Sequence, residues 1–306
     1  MLVVFLALGL GLAGCRWLAG ARAPAISRGP ADGRARPAAP GGAGLSLGRG
    51  APGRPDAALQ SLIERLIDEA NGDTAVVVRH LVTGASAGYH ERDVFPSASL
   101  AKVPILLETY RRLNAGALRP SDLVTITPES IIDGAGVLQG RAGERLPVAE
   151  LLRLAVRYSD NVAARLLLQR VGGEKAVNET LAGLGLSQTR LYADERPNIT
   201  TAGEMAALLA SIAGRVGPGA TPPANTLASL LALPQAQAWL ALGLPKGTPI
   251  AHKSGQLPNL RHDAGVVYAP RGPYVLVGLT DNLADQDDAE AFLSRLSREV
   301  YVYFSR

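Results

Sequence analysis

The stretch AGVVYAPRGPYVLVGLT, residues 264–280, decides how the chain is read. Two apolar runs, Ala264–Tyr268 and Tyr274–Thr280, flank Pro270-Arg271-Gly272-Pro273. β-Branched and aromatic residues suit a pleated, buried surface, and Gly and Pro favour a turn, so the stretch predicts a hairpin. Beyond it, Ala289, Phe292, Leu293, Leu296 and Val300 recur at helical spacing. At the other end of the chain, Thr74–Val78 and Ala87–His90 predict a second hairpin around Thr83-Gly84. An amphipathic helix over about 57–70 precedes it, carried by Leu59, Leu62, Ile63, Leu66 and Ile67 and ended by Asn71-Gly72. Between the hairpins helical periods dominate, at 99–114, 148–170, 174–184 and 203–213. Strands at both ends and helices in the middle imply an α/β fold of the α+β type: one antiparallel sheet built from both chain ends, with helices packed on it and no parallel βαβ unit.

The chain has 306 residues and a net charge of +4. Residues 16–55 hold seven arginines against the single acid Asp32, a net of +6, and residues 1–15 carry no charge; residues 56–306 therefore sum to −2. The basicity belongs to one segment, and no basic face interleaved with aromatics accompanies it, which argues against nucleic-acid binding. That segment is rich in Gly, Pro, Ala and Arg and has too few large apolar side chains to offset the entropy of ordering. It reads as a flexible tether over 16–56, ahead of a folded domain over 57–306. Residues 1–14 are apolar, too short a run for a comfortable membrane span but long enough for a signal-peptide core. Leu12-Ala13-Gly14-Cys15 resembles the lipobox of bacterial lipoproteins, although no Lys or Arg precedes the apolar run. The resemblance implies export and lipidation at Cys15 on an envelope membrane, where arginines near anionic headgroups contribute about 1 kcal/mol each. The alternative is a plain cleaved signal peptide with an incidental Cys, and the folded domain is expected to be a monomer.

Three short motifs carry chemistry. Ser99-Leu100-Ala101-Lys102 opens a helix, and residues three apart share a helix face, so hydroxyl and amine can meet. A serine is a weak nucleophile until a base takes its proton, and a lysine becomes that base when desolvation or nearby positive charge lowers its pKa. Val103-Pro104-Ile105-Leu106-Leu107 supplies the apolar surroundings. Ser159-Asp160-Asn161 interrupts the apolar pattern at 148–170 at a cost in helix propensity; its serine can relay a proton and its amide can bind a carbonyl and touch Lys102. His252-Lys253-Ser254-Gly255 reads as a strand whose Lys and hydroxyl can bind a carboxylate, while Gly255 admits close approach to the backbone. The N–H groups of Gln256 and Ser99 can then form an oxyanion hole. Each motif alone also fits a helix cap, a helix junction or an exposed strand end. Together they take up two of the chain's four lysines.

In this order the motifs resemble those of class A β-lactamases and the related penicillin-binding enzymes, S-x-x-K, S-D-N and K-T-G, with serine for threonine in the last. Phe95-Pro96, Tyr158, Thr200-Thr201 and Met205-Ala206 extend the likeness over residues 57–306. The resemblance implies acylation of Ser99 by a β-lactam or a peptidoglycan-like amide, with Lys102 as general base and Ser159 protonating the leaving nitrogen. Lys253 and Ser254 would then hold the substrate carboxylate, and Asn161 its side-chain amide.

The chain departs from that pattern after Thr189-Arg190-Leu191, where only Tyr192–Pro197 stands before Asn198-Ile199-Thr200-Thr201. In class A enzymes a longer loop carries the glutamate that activates the deacylating water. Read without a gap, Glu195 takes that place, without the asparagine that normally follows; beside Asp194 and Arg196 it reads alternatively as a solvated surface charge. With a working base the chain is a β-lactamase. Without one it is a penicillin-binding protein, a D,D-peptidase or a slow esterase; a third reading is a catalytically silent envelope lipoprotein. His80, His90, His252 and His262 show no metal-ligand spacing and no Gly-rich phosphate loop occurs, so neither metal nor cofactor is expected. His262-Asp263 either buttresses the site or makes a structural hydrogen bond.

Overall fold

The computed structural model describes residues 53–68, 70–214, 217–222 and 226–306. The expected signal segment, Cys15 and most of the tether lie outside the described residues. The last tether residues do not: Arg54–Pro55 form a two-residue strand β1, and Asp56 caps helix α1 (Ala57–Ile67) by accepting from the Leu59 N–H. Strands β2 (Asp73–His80) and β3 (Ala85–Tyr89) form the first hairpin, and β4 (Val94–Pro96) leads into a 3₁₀ turn over Ala98–Ala101 and helix α2 (Lys102–Asn114).

The central part comprises β5 (Leu123–Thr125), β6 (Arg145–Pro147), α3 (Val148–Arg157), α4 (Asn161–Arg170), α5 (Gly173–Gly183), β7 (Ile199–Thr201) and α6 (Ala202–Ala213). Short helices α7 (Leu227–Leu231) and α8 (Trp239–Leu242) precede β8 (Ile250–Leu257), β9 (Leu260–Ala269) and β10 (Gly272–Asp281), and α9 (Gln286–Ser305) follows.

Six strands make the main sheet, in the order β1-β3-β2-β10-β9-β8, which joins both ends of the chain through the β2–β10 pair. It is antiparallel throughout except for β1, which runs parallel to β3 over Arg54↔Ala85 and Pro55↔Ser86. Both faces are covered, which is why β2 and β10 read as nearly continuous apolar runs rather than as an alternation with polar residues. On one face Val76, Val78, Tyr274 and Leu276 pack with Leu59 and Ile63 of α1 and Phe292, Leu293 and Leu296 of α9. On the other, Ala75, Val77, Val275 and Val277 pack with the helical region, including Leu100, Leu106, Leu151 and Met205. Each such side chain contributes about 1.5–3 kcal/mol when fully buried.

Two small sheets complete the scaffold. In β4–β7, Phe95 lies opposite Thr200; in β5–β6, Val124 lies opposite Leu146. The helical region expected over 148–170 is two helices, broken at Tyr158–Asp160. Ser159 is left-handed (φ +51°) and Asp160 caps the new helix by accepting from the Ala163 N–H. Among the described residues no helix is long and apolar enough to cross a membrane.

Candidate active site

The 3₁₀ turn sets Ser99 at the entrance of α2, where Pro104 is tolerated in the first helical turn because its missing N–H has no partner there in any case. One helical turn on, the Lys102 ammonium group is buried and meets four oxygens. They are Ser99 Oγ at 3.0 Å, the Ser159 carbonyl at 2.6 Å, Ser159 Oγ at 3.0 Å and Asn161 Oδ1 at 2.7 Å. Ser159 Oγ in turn stands 2.8 Å from Ser99 Oγ. The Ser159 carbonyl and Asn161 Oδ1 can only accept, so a neutral Lys102 gives both its N–H bonds to them and turns its lone pair toward the hydroxyls. Burial, and then the positive charge of Lys253, bring the Lys102 pKa down from 10.5 to about 7, while Asp160 opposes them. The amine is thus available as a base near neutrality.

The break between α3 and α4 does more than aim Ser159. The Asp160 carboxylate, wholly buried, caps α4 with one oxygen and with the other accepts from the N–H groups of Val137 at 2.6 Å and Leu138 at 3.1 Å. Asn161 holds the same loop, its side-chain N–H donating to the Asp133 carbonyl at 3.0 Å and its backbone N–H to that of Ala135 at 2.9 Å. Gly136 (φ +135°) is required at this contact, since a Cβ there would stand 2.3 Å from the Asp160 carboxylate.

The opposite wall is β8, the sheet edge. The carbonyls of His252 and Ser254 point away from β9, accepting from the Gln235 side chain and from Lys253 Nζ. Alternation along an edge strand therefore turns the Gln256 N–H outward as well. Gly255 lies against the nucleophile's turn: a Cβ on it would stand 3.2 Å from Ala98 Cβ and 3.4 Å from the Ser99 nitrogen. Ser99 and Gln256 both line the cleft at this contact, so their N–H groups can form the oxyanion pair expected from the sequence. Ser254 Oγ donates to the Gln237 carbonyl at 3.1 Å. Lys253 is buried behind Ser254, and burial pulls its pKa down to about 8 against the pull of Asp263. Asp263 itself accepts from the Leu240 N–H at 2.9 Å and pairs with His252 at 2.8 Å.

Between these walls lies a cleft of about 450 Å³, lined by Ser99, Ala135, Ser159, Gln237, Ser254, Gln256, Leu257, Pro258 and Gln286. The structure thus brings Ser99, Lys102, Ser159, Asn161, Lys253, Ser254, Gly255 and Gln256 together. It does not bring Glu195. Arg190 and Ile199 pair backbone to backbone and close residues 191–198 into a tight loop. Inside it the Tyr192 N–H donates to Asn198 Oδ1, and Arg196 pairs with Asp194 and lies over the Tyr192 ring. Glu195 is exposed on this loop, and no carboxylate is among the described residues lining the cleft.

A larger hollow of about 750 Å³ between α2 and α5 offers no comparable chemistry. Its buried Glu108 is already paired with Arg111, Arg112 and Thr180. Among the described residues no three of His, Cys, Asp and Glu are grouped to hold a metal.

A model of the beta-lactamase enzyme family matches residues 58–304. A β-lactamase of Rhodobacter capsulatus is 29% identical over 137 residues, 45% of this chain and 47% of that protein. Among solved structures, PBP-A superposes with a TM-score of 0.74 at 27% identity, covering 83% of this chain and 98% of that one, and a point mutant of it is known as an acyl-enzyme complex with penicillin G. An ancestral class A β-lactamase superposes with a TM-score of 0.72 at 28% identity, covering 80% and 99%.

Proposed function

From the premise that this chain belongs to the beta-lactamase enzyme family, we propose that it is a serine hydrolase acylated at Ser99 by β-lactams, with an acyl-enzyme that is long-lived. The observation that carries the first half is the Ser99–Lys102–Ser159 cluster, three groups within 3.0 Å of one another around a buried amine. The lone pair of Lys102 takes the Ser99 proton as Oγ attacks the lactam carbonyl. The oxyanion is met by the N–H groups of Ser99 and Gln256, a stabilisation worth about 2.7–4 kcal/mol per donor in serine hydrolases. As the C–N bond breaks, Ser159 Oγ–H protonates the ring nitrogen and is itself reprotonated by the Lys102 ammonium. Ser254 and the nearby charge of Lys253 hold the substrate carboxylate, and Asn161 the side-chain amide. The ester on Ser99 remains.

Hydrolysis of that ester needs a base within hydrogen-bond reach of a water. The absence of a carboxylate among the described lining residues, and the closed loop bearing Glu195, support slow deacylation and hence a penicillin-binding enzyme acting on peptidoglycan-like amides. The names of the curated relatives favour a second reading, a β-lactamase that turns over. By its Leu12–Cys15 motif we place the protein, exported and lipidated, on an envelope membrane; incorporation of a fatty-acid label that disappears in Cys15→Ser tests this.

The deciding experiment is intact mass after penicillin treatment, followed over time. The expected result is one adduct, absent in Ser99→Ala, that persists while a chromogenic lactam gives a burst of about one equivalent. Sustained turnover would leave the β-lactamase reading standing, and no adduct at all would leave a silent protein.

A further inference from the structure

The residue before the nucleophile, Ala98, has φ +44°, a left-handed conformation that side chains with a Cβ rarely adopt. Such backbone persists only where its surroundings over-determine it. Three contacts do so here. The Ser97 N–H donates to the Asn198 carbonyl at 2.7 Å, Gly255 packs against Ser97 and Ser99, and the Pro96 carbonyl accepts from His262 Nε2 at 2.8 Å.

The third contact ties the turn to the middle of the molecule. His262 stands on β9 opposite Gly255 and is wholly buried, with its ring edge-on to Phe95. Its Nδ1 accepts from the Thr280 N–H of β10 at 3.1 Å. A backbone N–H can only donate, so Nδ1 carries no proton, and the neutral ring has its hydrogen on Nε2, aimed at a carbonyl that can only accept. Burial favours this neutral form. Both ring nitrogens are used, one on the sheet and one on the nucleophile's turn, as in a strut.

We propose that His262 is a positioning residue for Ser99, holding Pro96 and through it the strained turn in the geometry that lets Oγ attack. This rests on Ser99 being the acylated residue. A displacement of about 1 Å at a reacting atom can cost about 100-fold in rate, whereas a residue that merely fills the core affects stability alone.

The test compares His262→Phe, which keeps the ring and loses both bonds, with His262→Gln, whose amide N–H reaches the ε position, and His262→Asn, whose amide stops at the δ position. In His262→Phe the acylation rate constant for penicillin should fall about 100-fold, while non-covalent affinity, read in the Ser99→Ala background, changes less than twofold. His262→Gln should recover at least tenfold of that loss. The Ser97 and Leu100 amides of His262→Phe should exchange hydrogen faster than in the parent. Acylation within threefold of the parent, with unchanged exchange at those amides, would overturn the proposal. If the Phe variant does not fold, Gln and Asn variants that acylate equally fast overturn it, and a tenfold advantage for Gln supports it. If the parent itself is not labelled by penicillin, the functional reading falls, and amide exchange in the variants still decides whether His262 holds the turn.

Discussion

At Lys102 a residue normally charged in solution is held where its neutral form is useful. Desolvation is the larger cause of its lowered pKa and the cation of Lys253 the second. The sign for activity follows directly: the base is present above about pH 7 and lost by protonation below it, so acylation should rise through pH 7. Removing the neighbouring charge in Lys253→Met should move that midpoint to higher pH, because the repulsion that disfavours the Lys102 ammonium is gone. The same variant should bind anionic lactams more weakly, while a neutral ester substrate shows the pH shift without the loss of affinity. Acylation rates against pH for both substrates check this, and an unmoved midpoint would mean that the two lysines are not coupled. Much of this was legible in the sequence, because Ser99, Lys102, Ser159, Asn161 and Lys253 fall in three compact motifs. In the sequence Asp160 is only the middle of a motif. Its hold on Val137 and Leu138 spans more than twenty residues and leaves no local signal.

The elements carry the next layer. The 3₁₀ turn before α2 and the edge strand β8 meet at Gly255, where no side chain intervenes, and the proposed oxyanion pair depends on that approach. In Gly255→Val the added atoms must enter a space where even a Cβ stands 3.2–3.4 Å from Ala98, Ser97 and Ser99. Overpacking of this kind costs about 1–3 kcal/mol. Acylation should fall at least 100-fold, on the scale of one lost oxyanion donor, with only a modest fall in melting temperature. Normal acylation would show that β8 does not border the reacting atoms. The long helices are visible as periodicity, because their apolar faces repeat, and both hairpins as apolar runs around turn residues. Strands β1, β4, β5, β6 and β7 are not, since runs of two or three residues have no measurable period. Counting along the sequence leaves Glu195 two readings, a deacylation base or a solvated surface charge, and the structure leaves it exposed. Spacing could not show that Arg190 and Ile199 pair and shut the loop in between.

For the whole molecule, the sheet exists only when β2 from one end of the chain meets β10 from the other, and the buried site is assembled on that closure. Two lysines are thereby taken out of water, and folding stability must carry the consequence. A group whose pKa is lower in the folded than in the unfolded state binds fewer protons when folded, so stability rises with pH between the two values. For Lys102 that window runs from about 7 to 10.5, and for Lys253 from about 8 to 10.5. Tyr268 acts in the opposite sense above it: burial raises its pKa from 10 to about 12, so its contribution is present below pH 10 and lost as pH climbs toward 12. Buried Tyr274 is pushed up as well and adds to that alkaline loss. Resistance to urea should therefore increase from pH 6.5 to about 10 and decline only above that. Lys102→Met, which keeps the length of the chain and removes the charge, should be more stable than the parent at pH 6.5, with the advantage shrinking toward pH 10. Denaturation midpoints measured across that range decide the matter. If Lys102→Met is no more stable than the parent at pH 6.5, the lysine is not strained by burial, and its reactivity would need another origin.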